Sequence, residues 1–98
     1  MARFRLPASV KVGSLTYAVK VVTRLDEDKG RWGEADHRAC EIRICEGLSE
    51  RRALETFAHE LLHCIAEERG IRLKEHDCDQ LAAGIAAVAV DNGWRMGT

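Results

Sequence analysis

The sequence predicts an α+β domain in which a small sheet of three to four strands, antiparallel in part, is followed by two packed helices. Two observations carry this. As far as Cys45, apolar residues alternate with polar ones or cluster in short β-branched runs. From Ser49 onward they recur at the helical period. Strands first and helices second is the order of an α+β arrangement rather than of alternating β-α units.

The first two strands are Val10–Val12 and Leu15–Val21, joined by Gly13-Ser14. A two-residue Gly-X loop suits a type II′ hairpin turn. Asp26 to Gly30 reads as a polar turn, followed by Arg31-Trp32-Gly33-Glu34-Ala35. In Ala39–Cys45, Cys40, Ile42 and Ile44 alternate with Glu41 and Arg43, the pattern of a half-buried strand that Glu46-Gly47 ends.

Ser49 is a good N-cap for the first helix, and Glu50 places a negative charge where the helix dipole favours it. Leu54, Phe57, Ala58, Leu61, Leu62 and Ile65 form one apolar stripe, and Gly70 supplies the stop. A second helix is predicted from about Lys74 to Asp91, with Cys78, Leu81, Ile85 and Val88 as its stripe and alanines between. Asp91-Asn92-Gly93 ends it. Its many small residues permit close approach to a neighbouring helix.

The 98 residues are enough for one domain, 1–98, with no linker, repeat or low-complexity tract. The composition, 46% hydrophobic and 32% charged, reads as soluble and globular. A net charge of −1 gives no electrostatic case for nucleic acid or membrane. The charge is uneven: residues 1–45 carry nine Lys/Arg against six Asp/Glu, and residues 46–98 carry six against ten. The acidic half suits a cation or a merely solvated surface.

Cys40, Cys45, Cys64 and Cys78 contain no C-x-x-C pair, which argues against a zinc knuckle or a thioredoxin-type motif. Residues 1–7 lack the apolar segment of a secretory leader, and no apolar run reaches membrane-spanning length. The expectation is a cytoplasmic protein with reduced thiols, most of them small buried hydrophobes. Trp94 is expected to fold back onto the core, and Trp32 to pack at a strand end.

The chemistry concentrates in His59-Glu60-Leu61-Leu62-His63. On a helix, His59 and His63 lie roughly 130–170° from the centre of the apolar stripe, on one face and one turn apart, with Thr56 and Arg52 nearby. Two imidazoles at i and i+4 can direct nitrogens to one metal ion. Glu60 is rotated away from them, better placed to reach a water than to be a third ligand. The plainer alternative is two solvated histidines on a wet helix face. A third ligand cannot be Glu67, because a straight helix spreads His59, His63 and Glu67 over about 12 Å. The next helix offers Glu75, His76, Asp77 and Asp79 in its first two turns.

His59-Glu60-Leu61-Leu62-His63 followed by Glu75-His76-Asp77-Cys78-Asp79-Gln80-Leu81-Ala82 resembles the gluzincin arrangement. The spacing and length are similar to small ImmA/IrrE-type, phage-type zinc metallopeptidases, and the resemblance covers most of the chain. It implies a minimal zincin fold, a Zn2+ cofactor and hydrolysis of a peptide or protein substrate. It implies His59, His63 and Glu75 as ligands, Asp79 as the carboxylate that orients a ligand histidine, and Glu60 as general base. It also implies that Cys40–Cys45 is the edge strand beside an extended substrate.

The sequence departs from larger relatives in lacking a recognisable oxyanion partner. Tyr17, His37, Arg72 and His76 are the candidates, with His76 and Tyr17 taken forward. The alternative function is a zinc-stabilised regulatory or binding module with little turnover. No direct nucleic-acid or membrane partner is expected, and sequence leaves the oligomeric state open.

Overall fold

The structure is a computed structural model and describes residues 5–23, 25 and 32–94. The element order is β1 (Ser9–Val12), β2 (Leu15–Val22), β3 (Gly33–Asp36), β4 (Glu41–Cys45), α1 (Glu50–Arg69) and α2 (Glu75–Asp91). This is the α+β arrangement the sequence predicts. The polar turn expected at Asp26–Gly30 lies outside the described residues.

The four strands form one mixed sheet in the order β1-β2-β4-β3. β1 and β2 are an antiparallel hairpin with Val12 opposite Leu15. Gly13 has φ 61°, the left-handed first position that a type II′ turn requires. β2 and β4 pair in parallel, with Val19 opposite Ile42 and Val21 opposite Ile44. β3 and β4 pair antiparallel, with Glu34 opposite Arg43.

One sequence expectation is corrected here. The strand beginning near Cys40 is not an edge. It pairs on both sides, and the edge on that flank is β3. Cys40 itself is outside the strand, in the turn before it, with φ 54°.

Alternation along β4 sorts its two faces. Ile42 and Ile44 are fully buried with Val12, Tyr17, Phe57 and Cys64. Arg43 points to the other face, where its guanidinium pairs with Glu34, with Glu41 at 2.7 Å and with Asp36 at 3.4 Å. Lys20 Nζ adds a bond to Glu41 at 2.6 Å. One face of the sheet is thus core and the other an ion-pair lattice, which explains how a central strand can carry charges.

α1 begins as expected. Ser49 Oγ accepts the Arg52 N–H at 3.1 Å, and Gly70, with φ 67°, closes the helix by donating its N–H to Ala66 O. Its core face is rotated from the expected stripe. Leu54, Phe57 and Ala58 are buried, but so are Thr56, Glu60 and Cys64, while Leu61 and Leu62 are half-buried and Ile65 is exposed. The reason is that α1 is a middle layer. It packs on the sheet and also on α2, and α2 touches no strand among the described residues. A helix with neighbours on two sides does not have a single buried stripe.

α2 departs further from expectation. Cys78, Ala82, Ala86 and Ala89 are buried, whereas Leu81, Ile85 and Val88 are exposed. Small side chains face α1 because they let the two backbones approach closely. The larger aliphatics are turned outward. Trp94 is 60% exposed and does not fold back onto the core. All four cysteines are free; Cys64 and Cys78 are fully buried, and Cys40 and Cys45 half-buried.

Candidate metal centre

The third and fourth turns of α1 and the first turn of α2 meet at one point. His59 Nε2 and His63 Nε2 are 3.1 Å apart. Glu75 spans them, with Oε1 at 2.8 Å from His59 Nε2 and Oε2 at 3.3 Å from His63 Nε2. Ligand atoms held about 2.0–2.1 Å from a tetrahedral ion stand about 3.3 Å apart. The three separations are of that order, although Glu75 meets the two rings through different oxygens. The donor set, two imidazoles and one carboxylate, fits a divalent ion, with a fourth position open where Glu75 binds through one oxygen.

The remaining nitrogen of His59 is also engaged. His59 Nδ1 lies 2.8 Å from Asp79 Oδ1. A neutral His59 would donate from Nδ1 to that carboxylate and present its Nε2 lone pair to the ion. Glu75 and Asp79 are one turn apart on α2, so a single helix supplies both acids. Lys74, the N-cap, makes no side-chain cap bond, and Glu75 is the first helical residue.

Cys78 is a second donor near the histidines: His59, His63 and Cys78 also cluster closely enough to hold an ion. Without an ion the thiol is otherwise engaged. Sγ donates to His59 O at 3.4 Å. Burial, and then the charges of Glu75, Asp79 and Glu60, push the thiol pKa up to about 11. Glu75, in contrast, already reaches both rings.

These side chains sit in an open cleft of about 530 Å3 between β3, α1 and the start of α2. Glu60 lines it from the strand side and is 9% exposed. Gly33, the first residue of β3, lies against Glu60 and Thr56. A Cβ on Gly33 would stand 2.5 Å from Thr56 Cγ2 and 3.4 Å from Glu60 Cγ. Glycine is what lets the edge strand approach the helix here.

Of the two oxyanion candidates taken forward, neither lines the cleft. Tyr17 is buried in the core beneath it, and His76 is exposed on α2. His37 does line it, and Tyr17 acts on His37. Tyr17 Oη is 3.1 Å from His37 Nδ1. Burial first, then the neighbouring Cys64, raises the phenol pKa to about 12, so Tyr17 keeps a proton that it can donate to His37 Nδ1. In the tautomer that accepts this bond, His37 carries its proton on Nε2. Arg72 does not line the cleft; Arg52 does, with its guanidinium 4.2 Å from the centre of the Trp32 ring. Arg52 shares the face of His59 and His63, a signal present in the sequence. Its pairing with Trp32 was not.

No family model matches the chain, and neither the curated proteins nor the solved structures provide a match. No helix among the described residues is long and apolar enough to cross a membrane.

Proposed function

We propose that this chain is a zinc-dependent metallopeptidase acting on a peptide or protein substrate. The observation that carries the reading is the convergence of His59 Nε2, His63 Nε2 and the Glu75 carboxylate at separations of 2.8 to 3.3 Å, with Glu60 lining the same cleft. A zinc ion held there would polarise the scissile carbonyl and acidify a water molecule. Glu60 would take the proton of the attacking water and deliver it to the leaving amine. Its low exposure keeps that carboxylate on the cleft wall rather than in bulk water. His37, oriented by Tyr17, would offer its Nε2–H to the developing oxyanion. Asp79 would hold His59 in the tautomer that ligates.

A second reading rests on one observation. Among the described residues α2 packs on α1 alone, through Cys78 and alanines. An ion joining His59 and His63 to Glu75 would staple α2 in place. In that case the chain is a zinc-stabilised binding or regulatory module. Glu60 separates the two readings, because a staple does not need a general base.

The test compares wild type with Glu60→Gln. Elemental mass spectrometry should find about one zinc per chain in both. Cleavage of a peptide library, read by mass spectrometry, should fall about 10²–10⁴-fold in the variant. A variant that cuts as well as wild type would refute the general-base mechanism. Zinc binding without cleavage by wild type would leave the staple.

A further inference from the structure

The cleft continues beyond the histidines toward the start of α1, where Arg52 and Trp32 form its end wall. Arg52 is the only lysine or arginine among the described residues that line it. The five carboxylates in the lining are mostly committed: Glu75 and Asp79 face the imidazoles, Glu34 is paired with Arg43, and Glu60 flanks the metal centre. Glu55, one turn from Arg52, makes no ion pair with it among the described residues.

Both members of the end wall are anchored through their backbones. The Trp32 carbonyl accepts the Cys45 N–H at 2.8 Å, which ties it to β4. The Arg52 N–H is held by the Ser49 cap. The guanidinium carbon lies 4.2 Å from the centre of the indole ring, and its N–H groups make no hydrogen bond or ion pair among the described residues. A guanidinium held over an aromatic ring with N–H groups to spare can meet a carboxylate with two parallel hydrogen bonds.

We propose that Arg52, held against Trp32, is a carboxylate-recognition site that selects peptides bearing a carboxylate about three residues from the scissile bond. The inference rests on the reading of the cleft as a peptide site. The spacing follows from geometry. Arg52 precedes His59 by seven residues on one helix face, about 10 Å of rise. An extended peptide covers about 3.3 Å per residue. The carboxylate is either an acidic side chain or a C-terminus.

The test is calorimetric titration of the zinc-loaded protein with three acetylated alanine pentapeptides. One is amidated and neutral, one is amidated with a single glutamate, and one has a free C-terminus. Trp32 emission, isolated by Trp94→Phe, reports where they bind. At least one acid-bearing peptide should bind about threefold to fivefold more tightly than the neutral one, the range of an exposed ion pair. Which one does so identifies the source of the carboxylate.

Arg52→Gln should abolish the preference for the acid-bearing peptide. Arg52→Lys, lacking the planar fork, should restore only part of it. Equal binding of all three peptides, no binding of any, or a preference that survives Arg52→Gln would each overturn the proposal. Mass spectrometry of the same mixtures reads hydrolysis separately. Acid preference without hydrolysis refutes the peptidase reading alone, and hydrolysis without preference refutes the Arg52 site alone.

Discussion

His59 Nδ1 lies 2.8 Å from Asp79 Oδ1, so the ring that faces Glu75 through one nitrogen is tethered to α2 through the other. In the proposed site Asp79 would work through His59, setting its tautomer and its angle. Replacing Asp79 by Asn removes the charge and keeps the shape. Zinc affinity should fall about 10–100-fold, the usual cost of losing such a partner. Competition with a chromophoric chelator measures it. Unchanged affinity would mean that Asp79 is only a surface acid of α2.

Glu75 and Cys78 are the two candidates for the third place around an ion held by His59 and His63. Glu75 is 67% exposed on its side chain and yet reaches both imidazoles, whereas Cys78 is fully buried and occupied with His59 O. Glu75→Ala should weaken zinc binding far more than Cys78→Ser does. Cys78→Ser retains a donor for the His59 carbonyl and should keep about one zinc per chain. The reverse order would identify the thiolate as ligand. Elemental analysis of both variants after dialysis decides between them.

The fold was legible where local chemistry marks it. Ser49 and Gly70 bracket α1 because a cap and a left-handed stop are local requirements. The pairing of β4 was not legible. Ile42 and Ile44 alternate with charged residues in the same way for an edge strand and for a central strand whose outer face is an ion-pair lattice. The partner β2 lies some twenty residues away. In α2, hydropathy ranks Leu81, Ile85 and Val88 above the alanines, but close helix packing selects small side chains. Size overrode hydrophobicity there. The pairing of His59 with His63 was readable from their spacing, whereas the residues alone left Glu75, His76, Asp77 and Asp79 open, and the resemblance to gluzincins is what singled out Glu75 and Asp79. The Arg52–Trp32 contact forms only when β3 lies against α1, and no local pattern announces it.

Tyr17, Cys64 and Cys78 make the fold sensitive to alkali. Burial is the first cause in each, and it raises Tyr17 from 10.0 to about 12, Cys64 from 9.0 to about 11 and Cys78 from 9.0 to about 11. An unfolded chain releases these protons near pH 9–10, while the folded chain holds them to about pH 11–12. Between those limits the folded state binds more protons, so stability falls as pH rises. It is unaffected by these groups below about pH 8. Urea midpoints measured from pH 8 to 11 should decline, and Tyr17→Phe should flatten the part above pH 10. A flat profile for wild type would show that these groups titrate alike in both states.

Gly33 and Thr56 fix how closely the edge strand sits on the helix that carries the site. A Cβ on Gly33 would stand 2.5 Å from Thr56 Cγ2 and 3.3 Å from Arg43 O. The first contact is with a β-branched side chain on a helix, which has little rotamer freedom to retreat. The second is with the backbone of β4. Gly33→Ala should therefore cost about 1–3 kcal/mol, the range for overpacking a close contact. Thr56→Ser removes the clashing methyl. If the contact is the cause, Gly33→Ala combined with Thr56→Ser should recover most of the loss, and the two changes should be strongly non-additive. Glu60 also flanks Gly33, so the single variant should widen the cleft beside that carboxylate and weaken peptide binding as well as stability. Thermal melts of the four proteins in the cycle test the packing claim. A Gly33→Ala protein as stable as wild type would show that β3 can move away from α1 at no cost, and the strand would then not be a fixed wall of the site.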